Sequence, residues 1–148
     1  IMIQKICGRK IRIKIISPCE DITIFADKTM IEQMILNLSL NGRDAMPDGG
    51  VLTIEAKYAD KDDLKDEHMS DSNILMITVS DTGNGIDPTI KDRIFEPFFT
   101  TKLSEECGGL GLSIVKNTAD KHNGWIDIKT EVGKGTSISV YLPSMTVK

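Results

Sequence analysis

The stretch "NLSLNGRDAM", residues 37–46, places two asparagines and a glycine inside a segment that otherwise has the pattern of a buried helix. The apolar stripe of that segment is formed by Ile31, Met34, Ile35, Leu38 and Ala45. This spacing predicts a helix from about Lys28 to Ala45, with Asp27 as its N-cap. Asparagine is a mediocre helix former, and a glycine within a helix costs roughly 1 kcal/mol relative to alanine. The segment gives up helix stability, which indicates that its polar residues have a role other than packing.

Alternating apolar residues on both sides of this helix predict half-buried strands. One strand places Ile11, Ile13 and Ile15 on a single face. Further strands are predicted at residues 22–26, 52–58 and 74–81. We interpret each of these strands as having one polar face, so we expect helices to cover the other face alone.

The last third of the chain predicts a second helix followed by a hairpin. The helix begins at the glycines of "CGGLGLSIVKNTADKHNG" (107–124), buries Leu112, Val115 and Ala119, and ends at Asn123 and Gly124. The hairpin "WIDIKTEVGKGTSISVYLP" (125–143) turns at the glycines of "VGKG". Its predicted inward-facing residues are Thr136, Ile138, Val140 and Leu142. With a shorter helical piece at "PTIKDRIF" (88–95), the pattern predicts an α+β fold, a two-layer α/β sandwich whose sheet of about five or six strands is covered on one face by helices.

Size and composition limit the classes of protein that fit. A chain of 148 residues predicts a single domain spanning 1–148. The net charge of −4 argues against nucleic acid as the main partner. Three cysteines without metal-ligand spacing indicate a reducing compartment, so we expect a cytoplasmic domain. No apolar run in the sequence is long enough to span a membrane. The sequence begins in the middle of a pattern, so we expect a fragment of a longer protein. The sequence is compatible with a membrane anchor elsewhere in that parent protein.

Three polar residues of the first helix form a strip along one edge of its buried face. Asn37, Asn41 and Asp44 lie at positions i, i+4 and i+7. Neutral amides offer oxygen atoms to a hard cation and N–H groups to phosphate oxygens, so the strip suits a magnesium ion that carries phosphates. A pair of asparagines that cap nearby backbone groups fits the same residues equally well.

The stretch "SDTGNGID" (80–87) follows a predicted strand and places a carboxylate on its apolar side. Strand parity puts Asp81 on the same side as Ile77 and Val79. A carboxylate in that position needs an N–H donor from the protein or from a ligand. The exocyclic amine of a purine would serve, because Gly83 and Gly85 let a flat ring approach the backbone. A tight turn with an Asx-type hydrogen bond is the alternative, while an EF-hand is excluded by the glycines at ligand positions.

Two further stretches predict contacts to phosphates. "CGGLGLSIV" (107–115) opens a helix with bare backbone N–H groups at the positive end of its dipole. An ordinary helix N-terminus after a flexible loop explains the same glycines. "IFEPFFTTK" (94–102) places Phe95 and Phe98 for core packing and then continues into a polar segment that would close over a ligand. Lys102 would be the partner of a terminal phosphate.

Taken in order, "NLSLNGRDAM", "DTGNGID", "IFEPFFTTK" and "GGLGLSIV" resemble the N, G1, F and G2 boxes of the ATP-binding domain of sensor histidine kinases. The resemblance covers about residues 11–143 and implies the Bergerat-type sandwich with a mixed sheet, with ATP and Mg²⁺ as ligands. The nucleotide-contacting positions that it implies are Asn37, Asn41, Asp44, Asp81, Gly83, Gly85, Ile86, Phe98, Thr100, Thr101, Lys102, Gly108, Gly109, Leu110, Gly111 and Leu112.

The resemblance also implies individual roles. Asn41 would coordinate Mg²⁺, and Asn37 would assist through phosphate or water contacts. Asp81 would accept a hydrogen bond from the adenine amino group. Residues from about 100 to 108 would form a short lid. The γ-phosphate would pass to a histidine on a separate helical dimerisation domain and then to the receiver domain of a response regulator, with no nucleic acid or membrane contact by this domain.

Two departures from the family pattern stand out. Cys107 occupies a position where family members often carry a lid glycine. No box of the acceptor type surrounds His68 or His122, so the resemblance implies that the acceptor histidine lies outside this chain and that the chain has no catalytic side chain of that kind.

Other functions, within and outside this class, also fit parts of the sequence. Hydrolases of the superfamily would carry a glutamate as the base for water where this chain has Asn37, so a conformational switch driven by ATP hydrolysis is disfavoured. Glu32 or Asp44 would have to substitute for that base. A serine kinase of the anti-sigma type would use the same pocket. A docking module that binds no nucleotide would need none of these boxes.

Overall fold

The structure, a computed structural model, describes residues 10–16, 28–59, 74–94 and 111–143. In chain order the elements are β1 (Ile11–Ile16), α1 (Lys28–Asp44), β2 (Gly50–Tyr58), β3 (Ile74–Asp81), a 3₁₀ turn (Lys91–Arg93), α2 (Gly111–Lys121), β4 (Trp125–Glu131) and β5 (Gly135–Pro143). The predicted strand at 22–26 and the predicted cap Asp27 lie outside the described residues.

Five strands form one mixed sheet in the order β1-β2-β3-β5-β4. β1 runs parallel to β2, and every other neighbouring pair is antiparallel. Both helices contribute side chains to the main core on one face of this sheet. The predicted two-layer sandwich is therefore confirmed.

The core forms where the apolar stripes of the helices meet the inward-facing residues of the central strands. Met34 and Leu38 of α1 are fully buried, as is Val115 of α2. The four predicted inward-facing residues of β5 are all buried: Thr136, Ile138, Val140 and Leu142. One prediction is wrong at the edge of the sheet, where Ile15 is 56% exposed although Ile11 on the same strand is buried. β1 is an edge strand with β2 as its one sheet neighbour among the described strands, so its far end gains little cover.

The opposite face of the sheet is polar towards one end and apolar towards the other. Side-chain hydroxyls of β3 and β5 pair there, Thr78 with Ser139 at 2.9 Å between the Oγ atoms. Further along, Trp125 stacks on Tyr141 with ring centroids 5.0 Å apart, beside a small buried apolar cluster. The helices thus cover one face, and the expectation of a polar second face is wrong at this end of the sheet, because Ile74, Met76 and Tyr141 are buried there.

Both helix ends lie close to their predicted positions. α1 ends at Asp44, one residue before the predicted end. After α2, Asn123 adopts a left-handed conformation (φ 59°), and the backbone N–H of Gly124 donates to the carbonyl of Ala119 at 2.8 Å. This is the Schellman arrangement that an Asn-Gly pair predicts at a helix C-terminus. The short helical piece is a 3₁₀ turn at Lys91–Arg93.

Candidate functional site

Gly42 brings helix α1 against the end of strand β3. A Cβ atom at Gly42 would lie 3.5 Å from Cβ and 3.7 Å from Oδ2 of Asp81. The same atom would lie 2.6 Å from Cδ1 of Leu52, closer than real side chains approach one another. The glycine that weakens the helix is therefore the residue that lets the helix approach the sheet, and it brings the Asp81 carboxylate against the helix that carries the polar strip.

Asp81 lies on the helix-covered side of the sheet, as strand parity predicts. Its Oδ1 accepts a hydrogen bond from the backbone N–H of Gly83 at 2.9 Å, which is the Asx-type turn considered from the sequence. Burial raises the pKa of Asp81 above its ordinary value, and backbone hydrogen bonds at Gly83 and Thr136 oppose that rise without cancelling it. The two backbone hydrogen bonds therefore do not fully compensate the Asp81 carboxylate for its lost hydration. An additional N–H donor would stabilise its charged form.

Asn37 is buried, with 8% of its surface exposed, and only one end of its amide is satisfied. Its Oδ1 accepts a hydrogen bond from Nε2 of Gln33, one turn earlier, at 3.1 Å. Its Nδ2 is the one buried side-chain nitrogen or oxygen without a hydrogen-bond partner in the described part of the chain. A buried unsatisfied donor costs about 1–3 kcal/mol. The partner of Oδ1 is a side chain, so this amide does not cap the backbone, and its free end is suited to an acceptor on a ligand.

The other two members of the strip are less enclosed. Asn41 is half-buried one turn after Asn37. The Asp44 carboxylate pairs with the guanidinium of Arg43, with Oδ1 2.9 Å from one nitrogen and 3.1 Å from another. A nucleotide contact by Asp44 stays a prediction, and in this structure its negative charge is already paired.

The loop after β3 is held between the end of α1 and the β4–β5 turn. The backbone N–H of Asn84 donates to the carbonyl of Ala45 at 3.0 Å, and the carbonyl of Asn84 accepts from Gly133 at 2.8 Å. The N–H of Ile86 donates to Oγ1 of Thr130 at 2.8 Å. These contacts fix the backbone between the two glycines of the loop and directly after the second one.

Both glycines of this loop are required by the protein's own packing. A Cβ at Gly83 would lie 2.3 Å from the carbonyl oxygen of Ala45. Gly85 has φ 75°, and a Cβ there would lie 2.3 Å from the carbonyl oxygen of Glu131. Backbone atoms cannot move aside as a flexible side chain can, so neither position accepts a larger residue unchanged. The predicted role of these glycines in admitting a flat ring remains a prediction beside this structural requirement.

The remaining site predictions divide into two groups. Gly111 is the first residue of α2, and Leu112 is a partly buried residue that packs against the main core. Those outside the described residues are Phe98, Thr100, Thr101, Lys102, Gly108, Gly109 and Leu110.

Sequence reasoning overlooked Gln33 and Thr130. Gln33 precedes Asn37 by four residues, so the side-chain pair was visible as an i, i+4 spacing of two amides. Thr130 contacts Ile86 from a position 44 residues further along the chain, and its hydroxyl also pairs with that of Thr136 at 2.8 Å. No local sequence pattern predicts a contact between residues so far apart in the chain.

The fold and the site together define a class: an α/β sandwich in which the helix that carries the half-satisfied Asn37 packs against the partly buried Asp81 carboxylate. Residues 26–146 match the family described as histidine kinase-, DNA gyrase B-, and HSP90-like ATPase. The chain belongs to this family. Its four boxes and the names of its relatives make it a catalytic ATPase domain of the histidine kinase type.

Curated relatives and solved structures agree on this assignment. The chain is 36% identical over 147 residues to the sensor kinase CckA of Brucella abortus, covering 97% of this chain and 16% of that protein. It is 38% identical over 120 residues to the sensor histidine kinase ZraS of Salmonella typhi, covering 81% of this chain and 23% of that protein. The chain thus spans less than a quarter of either relative.

Among solved structures, the catalytic domain of histidine kinase ThkA in a nucleotide-free form matches with a TM-score of 0.73 and 28% identity, over 97% of this chain and 83% of that one. Full-length ShkA in complex with AMPPNP matches with a TM-score of 0.72 and 26% identity, over 93% of this chain and 26% of that one. Neither helix in the described ranges has the length and apolar character of a membrane span.

Proposed function

We propose that this domain binds Mg-ATP and donates the γ-phosphate to a histidine on a separate helical dimerisation domain. The observation that carries the proposal is the position of the Asp81 carboxylate beside Gly42, on the helix that also carries Asn37 and Asn41. Asp81 is suited to the base of a nucleotide, and Asn37 and Asn41 are suited to its phosphates and metal. In support, the relative ShkA was solved with AMPPNP, and the curated relatives are named as sensor kinases.

Asp81 is suited to the adenine amino group. An ionised carboxylate only accepts hydrogen bonds, and the exocyclic amine of adenine donates them. Burial has raised the pKa of this carboxyl, so a new donor is worth more here than at an exposed position. The guanine O6 in the same place would be an acceptor, and two acceptors would repel each other. We propose that Asp81 selects adenine over guanine for this reason.

The residues of the strip fit a magnesium ion that arrives with phosphates. The unpartnered Nδ2 of Asn37 is a buried N–H donor, which suits an anionic phosphate oxygen and disfavours direct contact with a cation. Asn41 has an amide oxygen of the kind that Mg²⁺ accepts as a ligand, and we propose that it holds the metal. When bound, the metal neutralises phosphate charge.

The chemistry favours transfer over hydrolysis. In the transfer step the terminal P–O bond of ATP breaks, ADP leaves with the bonding electrons, and an imidazole nitrogen forms the new bond to phosphorus. Asn37 cannot take a proton from water at neutral pH, so the site lacks a base where a hydrolase would carry glutamate. We expect slow hydrolysis by the domain alone.

The histidine domain would belong to the parent kinase, and the phosphoryl group would pass onward to the receiver domain of a response regulator. We propose that residues 1–148 act as one cytoplasmic catalytic domain within that longer chain, without contacts to nucleic acid or membrane.

Isothermal titration calorimetry with ADP and ATP, with and without Mg²⁺, tests the proposal. We expect binding that depends on Mg²⁺, is weakened by Asp81→Asn and is perturbed by Asn41→Asp. Supplying the parent kinase's histidine domain with γ-labelled ATP should label that domain in trans. Absence of nucleotide binding would instead support a docking module, and steady-state hydrolysis that disappears in Asn37→Ala would support an ATPase switch.

A further inference from the structure

We propose that Gln33 is a positioning residue that orients the Asn37 amide, so that its N–H donor faces the phosphates of the bound nucleotide. This inference rests on the proposed function, because it needs a phosphate acceptor near Asn37. Gln33 lies outside the four sequence boxes.

The two ends of the Asn37 amide differ in their hydrogen bonding. Nε2 of Gln33 donates to Oδ1 of Asn37 at 3.1 Å, while Nδ2 of Asn37 is buried and has no partner within the described structure. The two ends of an asparagine amide have nearly the same shape, so packing alone barely distinguishes its two orientations. A hydrogen bond distinguishes them when Gln33 acts as the donor, as it does here, because it then holds the oxygen and leaves the nitrogen for the ligand. The same glutamine can accept from Nδ2 through its own Oε1, so donor-only and acceptor-only residues at position 33 decide which orientation serves the ligand.

The burial of the two partners indicates which one serves the other. Gln33 is exposed to solvent, whereas Asn37 is buried. Water would satisfy the glutamine amide without any help from Asn37. The buried asparagine, in contrast, gains a fixed orientation that solvent does not supply, so the pair acts on Asn37.

The consequence is a division of labour between the two asparagines. With its oxygen held by Gln33, Asn37 presents a donor and recognises an anion. Asn41, one turn further along, keeps its amide oxygen available for a cation. Reversing the Asn37 amide would present an oxygen to the phosphates, where two acceptors repel each other.

Three substitutions at Gln33 separate orientation from charge. Methionine has similar length but makes no hydrogen bond to Asn37. Lysine donates to Oδ1 as glutamine does, whereas glutamate accepts from Nδ2 and so favours the reversed amide. Because Gln33 is exposed, we expect all three variants to fold. Asn117→Asp on α2 is the matched control, since it also exchanges an exposed helical amide for a carboxylate.

The measurement is the dissociation constant for Mg-ADP and, separately, for adenosine. We expect Gln33→Met to weaken Mg-ADP binding by about threefold to tenfold and Gln33→Glu by more than tenfold, with lysine near wild type. Adenosine affinity should not change in any of them, because adenosine has no phosphate. Asn117→Asp should match wild type for both ligands.

A side-chain amide spectrum gives a second readout that stability alone would not move. In the wild type, the ¹⁵NH₂ signals of Asn37 should shift on addition of Mg-ADP but not of adenosine, and in Gln33→Met the Mg-ADP shift should shrink.

If only the charge at position 33 mattered, Gln33→Met would bind Mg-ADP with wild-type affinity. That result would overturn the inference. Equal losses for Mg-ADP and adenosine would also overturn it, because they would indicate a structural effect. If wild-type protein binds neither ligand, the proposed function itself has failed.

Discussion

Replacing Asp81 by asparagine tests the site with almost no change in shape. The substitution exchanges one carboxylate oxygen for an NH₂ group, and the remaining oxygen still accepts from the Gly83 N–H. A hydrogen bond to a charged group contributes about 1.5–3 kcal/mol. Its loss should raise the dissociation constant for ADP by about 10- to 150-fold, at about 1.4 kcal/mol for each factor of ten.

A thermal-shift assay with ADP and Mg²⁺ measures this loss. At a ligand concentration of about 100 times the wild-type dissociation constant, binding stabilises the fold by about 2.7 kcal/mol. For a domain of this size that corresponds to a rise in Tm of about 5–11 °C. A 100-fold weaker variant at the same concentration gains only about 0.4 kcal/mol, which is a rise of about 1–2 °C. An unchanged rise in the variant would refute the contact between Asp81 and the base.

The same variant tests the electrostatics without nucleotide. Because burial raises the folded-state pKa of Asp81 above 3.8, the folded protein binds a proton more readily than the unfolded chain does. Wild-type stability contributed by this group is therefore present at lower pH and is lost as pH rises from about 3.8 through the folded-state pKa. Asp81→Asn has no such loss, so at neutral pH its ligand-free Tm should equal or exceed that of wild type. A lower Tm at neutral pH would show that the backbone hydrogen bonds outweigh the cost of burial.

The remaining predictions concern glycines that the packing requires. Gly85→Ala should be destabilised well beyond Gly133→Ala in urea denaturation, because both have positive φ but only the Cβ at Gly85 would meet the Glu131 carbonyl; equal losses would contradict this account. Gly133→Ala alone should cost about 1–2 kcal/mol. Gly42→Ala gains about 1 kcal/mol of helix propensity but crowds Leu52, so Leu52→Val should relieve the crowding; a double-mutant cycle with no favourable coupling would count against it.

The sequence predicts those features that depend on local periodicity. The strand alternation in β3 places Asp81 on the helix-covered side, and the stripe of α1 buries Met34 and Leu38 as expected. The Asn-Gly pair after α2 predicts the Schellman end that the structure shows. Such features need only the spacing of residues along one element, which the sequence gives directly.

Features that depend on contacts between distant segments were not predictable in the same way. The sequence assigned Gly83 and Gly85 to a ligand, whereas the structure shows that Ala45 and Glu131 already exclude a side chain at these positions. Distant backbone segments create that requirement, and no spacing within "DTGNGID" reveals it. Ile15 was predicted to share a buried face, but burial at an edge strand depends on what covers it rather than on alternation.

Three residues of α1 are weak helix formers: Asn37, Asn41 and Gly42. Each has a different physical explanation, so each indicates something different about function. Gly42 is explained by the approach of the helix to Leu52 and Asp81, so its presence alone does not demand a ligand. The unpartnered nitrogen of Asn37 has no such explanation within the described structure, because a buried donor costs free energy that an apolar residue would not cost. The half-buried Asn41 lies between these cases, since its side chain is partly exposed to solvent. Of these three residues Asn37 therefore gives the clearest reason to expect a ligand, because its nitrogen is an unpartnered buried donor while Gln33 holds the oxygen of the same amide.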